Sequence, residues 1–207
     1  MAKLALSKTE LSRQRENMRL YKRVLPSLEL KRMQLTAELK RARGKVQKAM
    51  HDEEMLKQKV ARQLPMLADE KMDLSGLVDV ESIDMDEENM VGVKLPTFVE
   101  VRFKVADYSM LASPHWTDVL VKRIKEMVSQ KILVQVMTER VRLLERSVRK
   151  ITQRTNLFEK ILIPEAKGNI RKIQIYLADA DRAAVIRSKI TKRIRQKQSQ
   201  ALSGALP

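Results

Sequence analysis

Residues 155–173 read TNLFEKILIPEAKGNIRKI, with Pro164 and Gly168 inside an otherwise helical apolar beat. Whether this stretch joins two helices or lies within one decides the fold. Downstream, Ile163, Ile170, Leu177, Ala184 and Thr191 form one seven-residue column. Ala166, Ile173, Ala180, Arg187 and Ile194 form a second. Both columns pass Gly168 without losing phase, so Gly168 does not end the helix, although it costs about 1 kcal/mol relative to Ala. Pro164 removes one backbone hydrogen bond and clashes with the carbonyl of Lys160, at about 3 kcal/mol in an exposed helix interior. Two long arms zipped together bear that as a kink rather than a break. The expectation is one long helix bent at Pro164. The alternative is two helices jointed at 164–168.

A matching arm lies at the N-terminus. Leu4, Leu11, Met18, Leu25, Arg32, Leu39 and Val46 make one column. Ser7, Gln14, Tyr21, Leu28, Leu35, Ala42, Ala49 and Leu56 make the other. Apolar columns at this spacing among Lys, Arg, Gln and Glu are a coiled-coil seam, imperfect at Arg32 and Gln14. A helix from about residue 4 to residue 64 follows, ended at Pro65, with Pro26 inside it and Leu25 and Leu28 in phase on either side.

Composition agrees. Of 207 residues, 33% are charged and 3% aromatic, with one Trp, five Gly and six Pro. Few rings and few turn formers argue against a broad globular core and for long helices with a narrow seam. The twelve Met read as seam filler. The formal net charge of +16 is unevenly spread. Residues 1–64 hold 17 Lys/Arg against 7 Asp/Glu, residues 65–138 hold 8 against 13, and residues 139–207 hold 17 against 6.

The acidic middle changes period. Val99, Val101, Phe103 and Val105 alternate with Glu100, Arg102 and Lys104, which reads as a half-buried strand. Val91, Val93 and Leu95 suggest its partner, with Pro96-Thr97 at the turn. The acid run within 69–88 reads as a solvated loop. Ser113 then caps a helix with Pro114 in its first turn, and Leu120, Ile124, Met127, Val134, Val141 and Val148 continue at helical spacings.

Asn156, Leu157, Glu159, Ile163 and Pro164 resemble the "R-V-N-A-L-E-x-x-x-I-P" stretch of the D subunits of V-type ATPases. Leu28, Leu30, Lys31, Arg32 and Leu35 are similar to that family's "L-L-K-x-K-R-D-x-L", with Met33 at the family's Asp. Leu25-Pro26-Ser27-Leu28-Glu29-Leu30-Lys31 looks closest to bacterial members. The resemblance covers both arms and implies that the N- and C-terminal helices pair antiparallel. With the periods and charges above, the expected fold is mainly α, a long antiparallel two-helix coiled coil of the two arms with a small middle segment containing a β-hairpin. The expected parts are a coiled-coil helix over 1–64, an acidic middle over 65–114, a coiled-coil helix over 115–198 and a flexible tail over 199–207. The resemblance also implies a central rotor shaft that couples ATP hydrolysis or synthesis in the head to ion translocation. The implied partners are the nucleotide-binding A/B hexamer, the small F subunit, and the subunit linking the shaft to the membrane rotor ring. The exposed apolar face of the 91–105 strands and the 115–138 helix is the expected seat of the small subunit. Arg140, Arg142, Arg146, Arg149, Lys150 and Arg154 are the expected contacts to acidic loops of the head.

No catalytic motif is visible. There is no GxxxxGK[ST], GxSxG or HExxH, and His51 and His115 stand apart. The expectation is a non-catalytic subunit without cofactor or metal, cytoplasmic, and peripheral to the membrane through its complex. The absence of cysteine fits a reducing compartment. No window reaches the ~20 apolar residues of a membrane span. The rivals are a basic nucleic-acid binder, favoured by a pI near 10.2 but poor in stacking aromatics, and a coiled-coil scaffold with another partner.

Overall fold

A computed structural model describes residues 4–65, 76–106 and 116–203, and the side chains among these as far as residue 197. The order is α1 (Lys8–Gln63), β1 (Val78–Met90), β2 (Val93–Val105), α2 (Thr117–Leu157), a π-helical turn (Phe158–Leu162) and α3 (Ile163–Ser203). The fold is mainly α with one antiparallel hairpin. The chain divides into two compact units, Met1–Glu29 with Gln153–Pro207, and Leu30–Thr152. The expected N-cap Ser113 and Pro114, the acids at 69–75, His115 and the tail end at 204–207 lie outside the described residues.

α1 begins at Lys8, later than expected. Ser7, placed in the seam by spacing, is instead its cap: its Oγ accepts the Glu10 N–H at 3.2 Å, and its carbonyl accepts the Leu11 N–H at 3.0 Å. Ser7-Lys8-Thr9-Glu10 has the residue pattern of a capping box. The helix passes through Pro26 and ends at Gln63.

In the first unit the chain's two ends pair antiparallel. The Tyr21 and Phe158 rings meet edge to face, with centroids 5.5 Å apart. Arg15, Met18 and Arg19, earlier in α1, share a groove with Lys167 and Ile170, later in α3, and Lys22 borders the same groove. Thr155, Ala166 and Ile173 are buried, and Leu11, Met18, Leu25, Leu28, Ile163, Ile170 and Leu177 are half-buried. The helix 117–203 is unbroken in sequence, but its irregularity differs from a simple bend at Pro164. The Ile163 N–H bonds to the Phe158 carbonyl, five residues back rather than four. A wide turn of this kind, just ahead of Pro164, is a known way to relieve the clash that a proline ring meets with the carbonyl four residues back in a regular α-helix. It also corrects a slip in the sequence. Thr155 to Ile163, and Phe158 to Ala166, are spaced by eight residues instead of seven. Without one wide turn, the columns on either side of it would face different directions.

The second unit is also antiparallel. Gln63 accepts from Arg123 at 3.0 Å, the Ala49 carbonyl from Gln130 at 2.9 Å, and Glu145 from Arg43 at 2.6 Å. Leu35, Leu39, Ala42, Ala49 and Val60 of α1 are buried, as are Leu120, Val121, Val134, Leu144 and Ile151 of α2. Val46 is half-buried. At one end Val60, Leu64 and Leu120 cluster, with Leu77, Trp116, Ile124 and Met127 packed against them. The methionines are not all seam filler: Met33, Met50, Met55 and Met85 are exposed.

The hairpin corrects two expectations. Its turn is Val91-Gly92, not Pro96-Thr97, and residues 78–88 form a strand rather than a loop. Both turn residues have positive φ, 55° at Val91 and 82° at Gly92, as a two-residue hairpin of this hand requires. Asn89 Oδ1 accepts the Gly92 N–H at 3.0 Å and closes the turn. Pro96, which has no N–H to donate, pairs with Glu87 inside β2.

If the wide turn serves both the seam and Pro164, the two are energetically coupled. Deleting Lys160 alone should destabilise the chain by about 3 kcal/mol, because a regular helix would press Pro164 onto a carbonyl. Deleting Lys160 in a Pro164→Ala background should restore most of that loss, because seven-residue spacing then runs unbroken. Urea unfolding of the two variants measures the difference; equal losses would show that turn and proline are unrelated.

Candidate interaction surfaces

Arg140 stands where three elements of the second unit converge. It projects from α2, and its guanidinium lies 2.6 Å from Glu88 of β1, 3.7 Å from Glu38 of α1 and 3.2 Å from the Thr97 hydroxyl of β2. The side chains of Arg140 and Glu38 are only 14% and 11% exposed. Arg140, expected among the head contacts, is therefore an internal clamp between the hairpin and the helices. Its planar fork presents five donors in a fixed geometry that reaches three separate acceptors, which the compact ammonium of a lysine, with three rotatable donors at one point, does not reproduce. Beside it lies a cleft of about 400 Å³, lined by Met90, Pro96 and Phe98 of the hairpin, Leu133, Val136 and Met137 of α2, and residues of α1 including Ala42.

The other expected contacts lie outward. Arg142, Arg146, Arg149 and Lys150 are exposed on α2 in the second unit, and Arg154 is exposed in the first. Arg142 pairs with Glu139 at 2.7 Å. That hydrogen bond holds the Glu139 carboxyl below its usual range, against the opposing effect of desolvation. The Arg43 hydrogen bond lowers Glu145 in the same way. Of the family-like residues, Leu35 is buried, Leu28, Arg32, Asn156 and Ile163 are half-buried, and Leu30, Lys31, Leu157, Glu159 and Pro164 are exposed.

The seam in the first unit has an end. Ile194, expected as a seam residue, is 51% exposed, and Val185, Ile186 and Ile190 are exposed with it. α1 starts at Lys8, and in an antiparallel pair its start faces the region of Leu177, so α3 continues past its partner. Arg182, Arg187, Lys189, Lys192, Arg193 and Arg195 accompany this bare apolar face. No helix among the described residues is long and apolar enough to cross a membrane.

Arg140→Ala should leave Glu38 and Glu88 without their shared donor and destabilise the second unit by about 2 kcal/mol. Arg140→Lys should recover part of that loss, keeping the charge but not the fork. Chemical unfolding with hydrogen exchange at 78–105 tests this; an Ala variant as stable as the parent would show that the clamp contributes nothing.

The sequence also has relatives among known proteins. The profile of the ATP synthase D-subunit family matches residues 10–193. The D subunit of the V-type ATP synthase of Borreliella burgdorferi is 32% identical over 192 residues, covering 93% of this chain and 95% of the relative. The protein of that name from Chlamydia muridarum is 30% identical over 197 residues, covering 93% and 96%. That from Chlamydia pneumoniae is 39% identical over 115 residues, covering 56% and 55%. This chain belongs to the D-subunit family of ATP synthases, whose members are non-catalytic stalk subunits of rotary V-type ATPases.

Proposed function

We propose that the chain is the central rotor shaft of its complex, turning inside the nucleotide-binding A/B hexamer and passing torque to the subunit that links it to the membrane rotor ring. In this reading it is cytoplasmic and peripheral to the membrane. The observation that carries the proposal is the bare end of α3. Val185, Ile186, Ile190 and Ile194 are exposed beyond the region that α1 covers, on a helix that also bears a dense set of cations. An apolar face of this kind calls for a surrounding surface, and a ring of subunits supplies one at every angle.

The exposed cations Arg142, Arg146, Arg149, Lys150 and Arg154 suit acidic loops of the head. Solvent-exposed ion pairs contribute at most about 1 kcal/mol each. Weak contacts fit a part that must leave each angular position after reaching it, since strong binding at one angle would stall rotation. The cleft beside Arg140 is the seat we assign to the small F subunit, because Met90, Phe98, Val136 and Met137 offer it an adaptable apolar floor.

Truncation after Leu177 separates these roles. The shortened chain should still bind the small F subunit, while ion pumping per ATP hydrolysed by the reconstituted complex falls sharply. Replacing Arg142, Arg146, Arg149 and Arg154 together by Ala should lower coupling by a smaller factor. Full pumping by the truncated chain would contradict the shaft reading.

A further inference from the structure

The hairpin's two strands are built differently. β2 carries the buried residues Leu95 and Val101, whereas β1 has none. β2 also carries Lys94, Pro96, Arg102 and Lys104, the residue types that discourage strand addition. β1, Val-Asp-Val-Glu-Ser-Ile-Asp-Met-Asp-Glu-Glu-Asn-Met, has no proline and no cation, and six of its residues are Asp or Glu. Both strands of a two-stranded sheet are edges, so one row of β1's backbone groups faces away from the ladder, and it lacks the proline and cations that guard the edge of β2. Among the described residues, one hydrogen bond outside the ladder reaches that backbone: Asp86 Oδ1 accepts the neighbouring Glu87 N–H at 2.7 Å. This is a local stand-in for a carbonyl from another strand.

The side chains point the same way. Val80, Ile83 and Met85 sit opposite Phe103, Val101 and Phe98. Cross-strand partners share a face of the sheet. On that face the β2 members are buried or half-buried, while Val80, Ile83 and Met85 are 43%, 41% and 60% exposed. An apolar row thus runs uncovered along the margin, among carboxylates. A two-stranded sheet is marginal, and a third strand completes its apolar face.

We propose that β1 is an acceptor edge for a third strand, an extended segment of a neighbouring polypeptide in which Lys or Arg alternates with apolar residues. Its backbone would pair with the free edge, its apolar side chains would continue the Val80–Ile83–Met85 row, and its cations would meet Asp79, Glu81, Asp86 and Glu87. The same charge excludes a second copy of β1, because two acidic strands side by side repel one another. Arg140 of α2 grips Glu88 of β1 and so anchors this strand to the helices.

The test uses the full chain and a short peptide alternating lysine with valine and threonine. A second peptide of the same composition, interrupted by a central proline, is the control. With the first peptide at about ten times its Kd, amide exchange across 78–90 should slow about tenfold while that across 93–105 is unchanged. The interrupted peptide should give no such protection. Glu81→Lys with Asp86→Lys, both exposed positions, should weaken binding by more than about tenfold, equivalent to ~1.4 kcal/mol. Circular dichroism checks that the hairpin variant keeps the parent's fold. Equal protection by the interrupted peptide would reduce the effect to charge alone and overturn the proposal. So would protection confined to other segments, or none at all.

Discussion

The structure rests on one constraint: the apolar columns of the C-terminal helix must keep facing the N-terminal helix over a distance at which a small error in phase accumulates. Seven-residue spacing keeps such columns aligned only while it is strict. This chain breaks it once, between Thr155 and Ile163, and meets the break with a single wide turn at Phe158–Leu162. The same turn makes room for Pro164. Tyr21 packs its ring against Phe158 at the first residue of that turn, so the irregular backbone is held from across the pair.

The hairpin is a different kind of element, short-range in its pairing and polar in its anchoring. Leu95 and Val101 give it an apolar footing. Its orientation is fixed by Arg140, which holds Glu38, Glu88 and Thr97 together from one position on α2. A cation this enclosed, with more than one carboxylate in reach, offsets its own desolvation only because its donors find geometric partners. That is why Arg140 serves the interior while its neighbours Arg142, Arg146 and Arg149 remain on the surface.

Much of this was legible in the residues. Leu35, Leu39, Ala42 and Ala49 lie buried in α1, and Ala166 and Ile173 lie buried in α3, at positions that seven-residue spacing picks out. The wide turn was legible too, since the upstream column through Val141 and Val148 does not reach Ile163 in whole repeats. Attention to the proline hid it. The hairpin turn was missed because a β-branched Val91 at positive φ runs against residue preference, and Pro96 looked like the stronger turn signal. The role of Arg140 had no local signature. Its partners come from three other elements, and only the fold brings them together. The exposure of Ile194 follows from where α1 begins, which the Ser7 cap sets and spacing alone does not.

The central claim is that the two ends of the chain run antiparallel in one defined register. The chain has no cysteine, so introduced pairs report without background. With Met18→Cys and Ile170→Cys, which line one groove, a short thiol cross-linker should join the two positions within a single chain. With Leu11→Cys and Ile170→Cys, about two helical turns out of register, it should not. Efficient linking of the second pair, or linking only between separate chains, would contradict the account.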